Sequence, residues 1–335
     1  MMSSAGKSPV PVHRILVLAV FLCLRIPAAH AQGEIPDVHI QPRAPLSPRE
    51  GCSDRYLNTI RKRVDLVLVP VTVTDQMDRA VVGLDRRNFQ LYEGKQPQQI
   101  KHISRDDAPV SIGVILDLSR SMAEKIERAQ EAVLELLKES NPQDEFFLIT
   151  FADAPRVAQD FTQTVEDMQD RLLFTPSKGR TALLDAIYLG LDKMKEAKYQ
   201  RKALVIISDG GENHSRYTER EVKSRIKETD VLTYSVGVFD RKFSTREERL
   251  GPELLGEISA VTGAQSYTLE NPNDLPVIAH HIGFELRNQY VLAYTPENRA
   301  DDGKWRKIKV KLTLIPKRLF PLRVHAKTGY YAPLQ

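Results

Sequence analysis

Three short stretches carry side chains whose types and spacing suit joint chemistry. Asp117-Leu118-Ser119-Arg120-Ser121 sets a carboxylate and two hydroxyls on alternate residues. Gly179-Arg180-Thr181 adds a hydroxyl, and Ile207-Ser208-Asp209-Gly210 adds a second carboxylate followed by the flexible Gly210-Gly211 pair. Hydroxyl and carboxylate oxygens are hard donors that suit a divalent cation such as Mg2+, which favours oxygen ligands, octahedral geometry and a few retained waters. Mn2+ and Ca2+ are accepted by the same donors. A purely local alternative exists for each stretch alone, since Ser commonly caps helices and Asp commonly sits in turns.

The elements around these stretches decide between the two readings. Ile112–Leu116, Phe146–Phe151, Ala203–Ser208 and Val231–Val238 are short apolar runs, as expected for strands buried on both faces of a parallel sheet. Ile126, Ala129, Val133 and Leu136 recur at helical spacing between the first two runs, and Leu184, Ile187, Leu191 and Met194 do the same in the next connection. Parallel strands need crossovers, so this rhythm predicts an α/β fold with a doubly wound, mainly parallel sheet. Further helices are predicted over Glu253–Val261 and Asp274–Leu286, and a further strand over Gln265–Leu269. Open sheets of this kind bind ligands at the carboxyl ends of their strands. Asp117 ends the first run, Asp209 follows the third, and Thr181 opens the second helix.

The flanks read differently. Val64, Leu66, Leu68, Val71 and Val73 form a strand-like stretch in which Pro70 suggests an edge or bulge. Short strands are predicted at Ala80–Val82, Phe89–Glu93 and Gln99–Ile103, with turns at 75–79 and 93–95. After Arg287, Tyr290–Tyr294 is strand-like, and residues 307–314 alternate with period two, burying one face and solvating the other. Each flank has too few strands to make a good sandwich alone. The expectation is a smaller β-sandwich-like domain built from both, with the α/β domain inserted between them.

The combination resembles the von Willebrand factor type A domain and its metal-ion-dependent adhesion site, over roughly Pro109 to Leu286. Over most of the mature chain it is similar to an exported bacterial family related to that domain, through Val71-Thr72-Val73-Thr74-Asp75, Asn88-Phe89-Gln90-Leu91-Tyr92-Glu93-Gly94 and Thr328-Gly329-Tyr330-Tyr331. The resemblance implies that Ser119, Ser121 and Thr181 supply hydroxyl ligands, while Asp117 and Asp209 hold the ion directly or through water. It further implies an open coordination position that takes an Asp or Glu of a partner protein, so that the metal serves recognition and not catalysis. Arg120, Arg180, Gly210 and Arg216 are the expected partner-binding positions. Arg120, Lys178, Arg180 and Arg216 fall in the surrounding loops and favour an acidic partner, offset by Asp153 and Glu212. Displacement of the last helix by ligand, passed on to the C-terminal β segment, is a further expectation of the resemblance.

Two readings from other classes compete with adhesion. A metal-assisted hydrolase would use Asp117 and Asp209 to hold an ion that activates water, but His214 has nothing near it in sequence to orient it as a base. A structural component of an envelope assembly would use the ion for stability alone. No G-x-S-x-G elbow, H-E-x-x-H pair or phosphate-binding P-loop is present, and the chain is read as a non-enzyme.

The first 31 residues have the parts of an export signal: Lys7 and Arg14, the apolar run Ile15 to Leu24, and Ala29-His30-Ala31 before Gln32. Ten apolar residues closed by Arg25 are too few to span a bilayer, which takes about 20. The sequence predicts cleavage after Ala31, no stable membrane span thereafter, and export to the periplasm, the cell surface or the medium. The full chain has 48 basic and 44 acidic residues; losing Lys7, Arg14 and Arg25 leaves 45 against 44, a net charge of +1. Such a balance provides no general basis for nucleic-acid binding. Cys52 is then the lone cysteine, without an intramolecular disulfide partner. The predicted division is a signal over 1–31, a Pro-rich linker over 32–62, β segments over 63–108 and 287–335, and the type A domain over 109–286.

Two minor candidates remain. Nine basic and no acidic residues follow from Lys304 onward, which would suit a polyanion, although Lys307, Lys309 and Lys311 are more simply the solvated face or protected edge of a strand. His280-His281 lies in a predicted helix without a Cys or carboxylate at zinc-ligand spacing.

Overall fold

The computed structural model describes residues 66–105, 108–173, 178–239, 246–313 and 321–334. The predicted signal, the linker and both cysteines lie outside them.

The α/β unit begins at β5 (Val110–Asp117), after four strands of the flank: β1 (Val67–Thr74), β2 (Phe89–Glu93), β3 (Gln96–Gln98) and β4 (Ile100–Ser104). It continues through α1 (Ile126–Lys138), β6 (Glu145–Phe151), β7 (Pro155–Thr162), α2 (Val165–Leu173), α3 (Leu183–Lys193) and β8 (Arg201–Ser208). Then come α4 (Glu219–Lys227), β9 (Val231–Val238), α5 (Arg246–Thr262), β10 (Ser266–Leu269) and α6 (Leu275–Arg287). The chain closes with β11 (Tyr290–Tyr294), β12 (Trp305–Leu312), β13 (Arg323–Ala326) and β14 (Gly329–Tyr331).

Six strands form one sheet in the order β10-β9-β8-β5-β6-β7, parallel throughout except for the antiparallel β6–β7 pair. Every residue of β5, β6 and β9 is buried, because helices cover both faces. Ala129 and Leu136 of α1, Met168 of α2 and Ile282 of α6 pack on one face; Ile187 of α3, Val222 of α4 and Ile258 of α5 pack on the other. Such double coverage is why these strands read as unbroken apolar runs. Gly113 is required in β5 because a Cβ there would lie 2.2 Å from the Phe147 ring. Strand order reverses at β5, which has β6 on one side and β8 on the other. That reversal opens a crevice at the carboxyl ends of β5 and β8.

The flanking strands interleave in two four-stranded sheets, β13-β1-β11-β4 and β14-β12-β2-β3. One apolar cluster draws on both, with Val69, Val71 and Val73 of β1 and Tyr290 and Leu292 of β11 against Phe89 and Leu91 of β2 and Ile308 of β12. The α/β unit is therefore inserted between halves of a β-sandwich. In β12, Ile308 is buried while Lys307, Lys309 and Lys311 are exposed; since β12 is an interior strand, these lysines form a solvated face and not an edge.

Several elements depart from expectation. Pro70 lies in an interior strand and not at an edge; β13 pairs only with Val71–Thr74, so around Pro70 the side opposite β11 needs no N–H. Ala80–Val82 forms no strand beyond a single bridge from Ala80 to Thr74. The predicted Gln99–Ile103 strand is β4, preceded by the short edge strand β3, where Pro97 is tolerated. The unpredicted α2, α4, β7, β13 and β14 are mostly polar or very short.

Candidate metal centre

Asp117 is the last residue of β5 and is fully buried. Its Oδ1 accepts the Ser119 N–H at 2.8 Å, and its Oδ2 accepts the Ser208 hydroxyl at 2.6 Å. Ser208 ends β8, the neighbouring strand, and its oxygen also accepts the Gly210 N–H at 2.9 Å. The chain leaves β5 in a turn that sets Ser119 Oγ 3.1 Å from Ser121 Oγ. Ser119 is buried and Ser121 exposed, so the cluster opens outward.

Asp209 is also buried. Its Oδ1 takes a long contact of 3.4 Å from the Gly211 N–H, whereas its Oδ2 has no hydrogen-bond partner among the described residues. Lys125 Nζ stands 3.6 Å from that oxygen, an ion pair beyond hydrogen-bond length. Burial pushes the Asp117 carboxyl up to about 7, and the neighbouring Asp209 charge pushes the same way, against the hydrogen bonds from Ser208 and Ser119. Two carboxyl groups are thus buried beside one another, with the Lys125 ammonium 3.6 Å from one of them.

The Thr181 segment is laced to this centre through its backbone. Lys178 N–H donates to the Leu118 carbonyl at 2.8 Å, and Arg120 N–H donates to the Gly179 carbonyl at 3.2 Å. Gly179 has φ +102°, and a Cβ there would come within 2.8 Å of Asp153 Oδ2, so glycine is required at this crossing. Thr181 is buried, and its N–H donates to Asn213 Oδ1 at 3.1 Å. The turn after Asp209 is braced in turn by Glu212, whose carboxylate accepts N–H groups of Leu184, His214 and Ser215.

Asp117, Ser119, Ser121 and Asp209 are therefore brought together, with the Thr181 loop hydrogen-bonded against them. Of the expected partner-facing positions, Arg120, Arg180 and Arg216 are exposed. Gly210 is not: it is buried at φ +71°, where a Cβ would meet the Gly251 Cα at 2.7 Å. Its role is close backbone approach, leaving no surface for a partner. His214 is exposed with Nδ1 3.3 Å from Arg180 Nη1, and Arg216 pairs with Asp185 at 3.4 Å. His280 of α6 stands 3.4 Å from a Glu139 oxygen.

Sequence reasoning missed Ser208 and Lys125. Ser208 stood next to Asp209 in a named stretch; the contact of Lys125 depends on the order β5-β8-β9, for which there was no local signal. Among the described residues no three His, Cys, Asp or Glu side chains converge as a metal site. The donor set here is two carboxylates supplemented by hydroxyls, and its buried carboxylate oxygen without a hydrogen-bond donor fits a hard divalent cation.

Residues 112–212 match the family model for the von Willebrand factor type A domain. Among solved structures, BatB from Bacteroides thetaiotaomicron, a conserved hypothetical protein, is 20% identical over 52% of this chain and 98% of its own, with a TM-score of 0.44. A von Willebrand factor type A protein from Catenulispora acidiphila is 10% identical over 79% of this chain and 73% of its own, with a TM-score of 0.47. The corresponding domain of the type V pili tip protein Mfa5 from Porphyromonas gingivalis is 11% identical over 52% and 94%, with a TM-score of 0.43. No curated protein matches the chain. Among the described residues no helix is long and apolar enough to cross a membrane. The family match runs from within β5 to just past Asp209, so residues 112–212, the part of the α/β unit that carries the candidate site, are similar to the von Willebrand factor type A domain.

Proposed function

We propose that this protein is an exported protein-binding module whose type A domain holds Mg2+, or alternatively Mn2+ or Ca2+, through Asp117, Ser119, Ser121, Thr181 and Asp209. The bound ion would offer positive charge and an open coordination position to an Asp or Glu side chain of a partner protein. One observation carries the reading: Asp117 and Asp209 are buried side by side at the ends of adjacent strands, and Asp209 Oδ2 lacks a donor. Burying two carboxylates side by side with a single ammonium beside them is costly, and a bound dication would offset that cost.

The exposed Arg120, Lys178, Arg180 and Arg216 lie on the loops that carry Ser121 and Thr181 or follow Asp209, and would speed the approach of an acidic partner. Export rests on the signal-like first 31 residues.

Calorimetric titration of Mg2+ and Mn2+ into the protein tests the reading, alone and with an acidic peptide library, beside folded Asp117→Ala and Ser119→Ala variants. Saturable binding in the wild type and its loss in both variants is the expected result. No binding by the folded wild type under either condition would overturn it, and turnover lost with Asp117 would point to a metal-assisted hydrolase.

A further inference from the structure

Lys125 follows the turn that carries Ser119 and Ser121, and two contacts place its ammonium group. Nζ donates to the Val238 carbonyl at 3.0 Å, at the carboxyl end of β9, and lies 3.6 Å from Asp209 Oδ2. The Lys125 side chain is 15% exposed and that of Asp209 is 2% exposed, so water screens the pair weakly. Because the Val238 carbonyl holds the ammonium separately, it stays beside the carboxylates whether or not Asp209 engages it.

Charge counting shows what this does to the site proposed above, on which the inference rests. Counted in the deprotonated form of both carboxylates, the form that ligates a cation, Asp117, Asp209 and the Lys125 ammonium sum to one net negative charge; a dication turns this to one net positive charge. Without Lys125 the same steps run from two negative charges to zero. The ammonium therefore opposes entry of the ion, and then leaves the loaded site attractive to an anion. We propose that Lys125 is a resident counter-ion that lowers affinity for the metal and raises the affinity of the metal-loaded site for a partner carboxylate.

Mn2+ is the probe for the test, because water-proton relaxation reports both its binding and the loss of bound water when a carboxylate replaces it. Full-chain wild type, Lys125→Met and Lys125→Arg are titrated with Mn2+ and then with N-acetylglutamate, with circular dichroism checking the fold; Lys125→Gln replaces the Met variant if that fails to fold. Lys125→Met is expected to bind Mn2+ about tenfold more tightly and N-acetylglutamate about tenfold more weakly, while Lys125→Arg restores both towards wild type. Mn2+ bound by Lys125→Met and not by wild type would overturn the proposal, because a wild-type site that never loads offers no metal-loaded centre to a partner carboxylate. Unchanged or weaker Mn2+ binding by Lys125→Met, with wild type binding the ion, would overturn the role of Lys125 and leave the metal site standing; so would N-acetylglutamate affinity that fails to fall. Binding by neither protein would overturn both.

Discussion

The Ser208 hydroxyl donates to Asp117 Oδ2 at 2.6 Å across the β5–β8 pairing while accepting the Gly210 N–H at 2.9 Å. One side chain thus ties the first carboxylate of the site to the turn that carries the second. Ser208→Ala removes a donor from a buried carboxylate and an acceptor from a buried N–H. The expected loss is about 1–3 kcal/mol of stability, read as a lower urea midpoint. An unchanged midpoint would show that the tie contributes nothing net.

Two glycines near this turn make a contrast that needs no knowledge of the ligand. At Gly210 an added Cβ would lie 2.7 Å from backbone of Gly251, and φ is +71°. Gly210→Ala is expected to lower stability by more than about 2 kcal/mol, since neither the strained backbone nor the opposing backbone yields readily. Gly256, within α5, has open space where its Cβ would be. Gly256→Ala is expected to raise stability by about 0.5–1 kcal/mol through the helix preference of alanine. Thermal unfolding of the two variants should move in opposite directions.

The pattern of what the chain discloses follows from locality. Asp117, Ser119 and Ser121 are adjacent in sequence and end an apolar run, so both the site and its strand are visible together. The helix α4 was not, because Glu219-Arg220-Glu221-Val222-Lys223 is mostly polar and only Val222 and Ile226 are buried. Its start did carry a signal, since Thr218 and Glu221 form a reciprocal capping box. The edge strand β7 pairs on one side and leaves Val157 exposed, which blurs the alternation that marks a strand. Contacts such as Lys125 to Asp209 arise from strand order, which depends on packing across the whole sheet.

Glu285 provides a prediction in pH. It is buried on α6, where its carboxylate meets the Gln265 amide and the Tyr267 hydroxyl, the latter at 3.2 Å. Burial pushes its carboxyl up from 4.5 to about 8, with the Asp78 charge adding to the rise and these hydrogen bonds opposing it. Between those values the folded chain keeps a proton that the unfolded chain releases. The contribution of Glu285 is therefore full below about pH 4.5 and is lost as pH climbs through about 8. Glu285→Gln should flatten this part of the stability profile by about 1–3 kcal/mol, measured as urea midpoints from pH 5 to 9. A slope identical to wild type would place the titration elsewhere.

Asp144 links the two ends of the α/β unit. Its fully buried carboxylate accepts the N–H of Val110, the first residue of β5, at 2.7 Å and that of Asn141 at 2.8 Å. It also receives Arg287 Nη2, from the last residue of α6, at 2.7 Å. Entry to the unit and exit from it are therefore held by one side chain, next to the connections that lead into the sandwich. Asp144→Ala would take a carboxylate from a largely buried guanidinium and its acceptor from the buried Val110 N–H, at an expected cost of about 2–4 kcal/mol. The pair between Arg128 and Glu131 is of similar length, 2.6 Å, but both side chains are nearly half exposed. Water and salt screen it, so Glu131→Ala should change stability by less than about 0.5 kcal/mol. Parallel denaturation of the two variants checks the difference. Equal effects would mean that burial of the Asp144 network does not set its worth, and that some other contact holds the ends of the unit together.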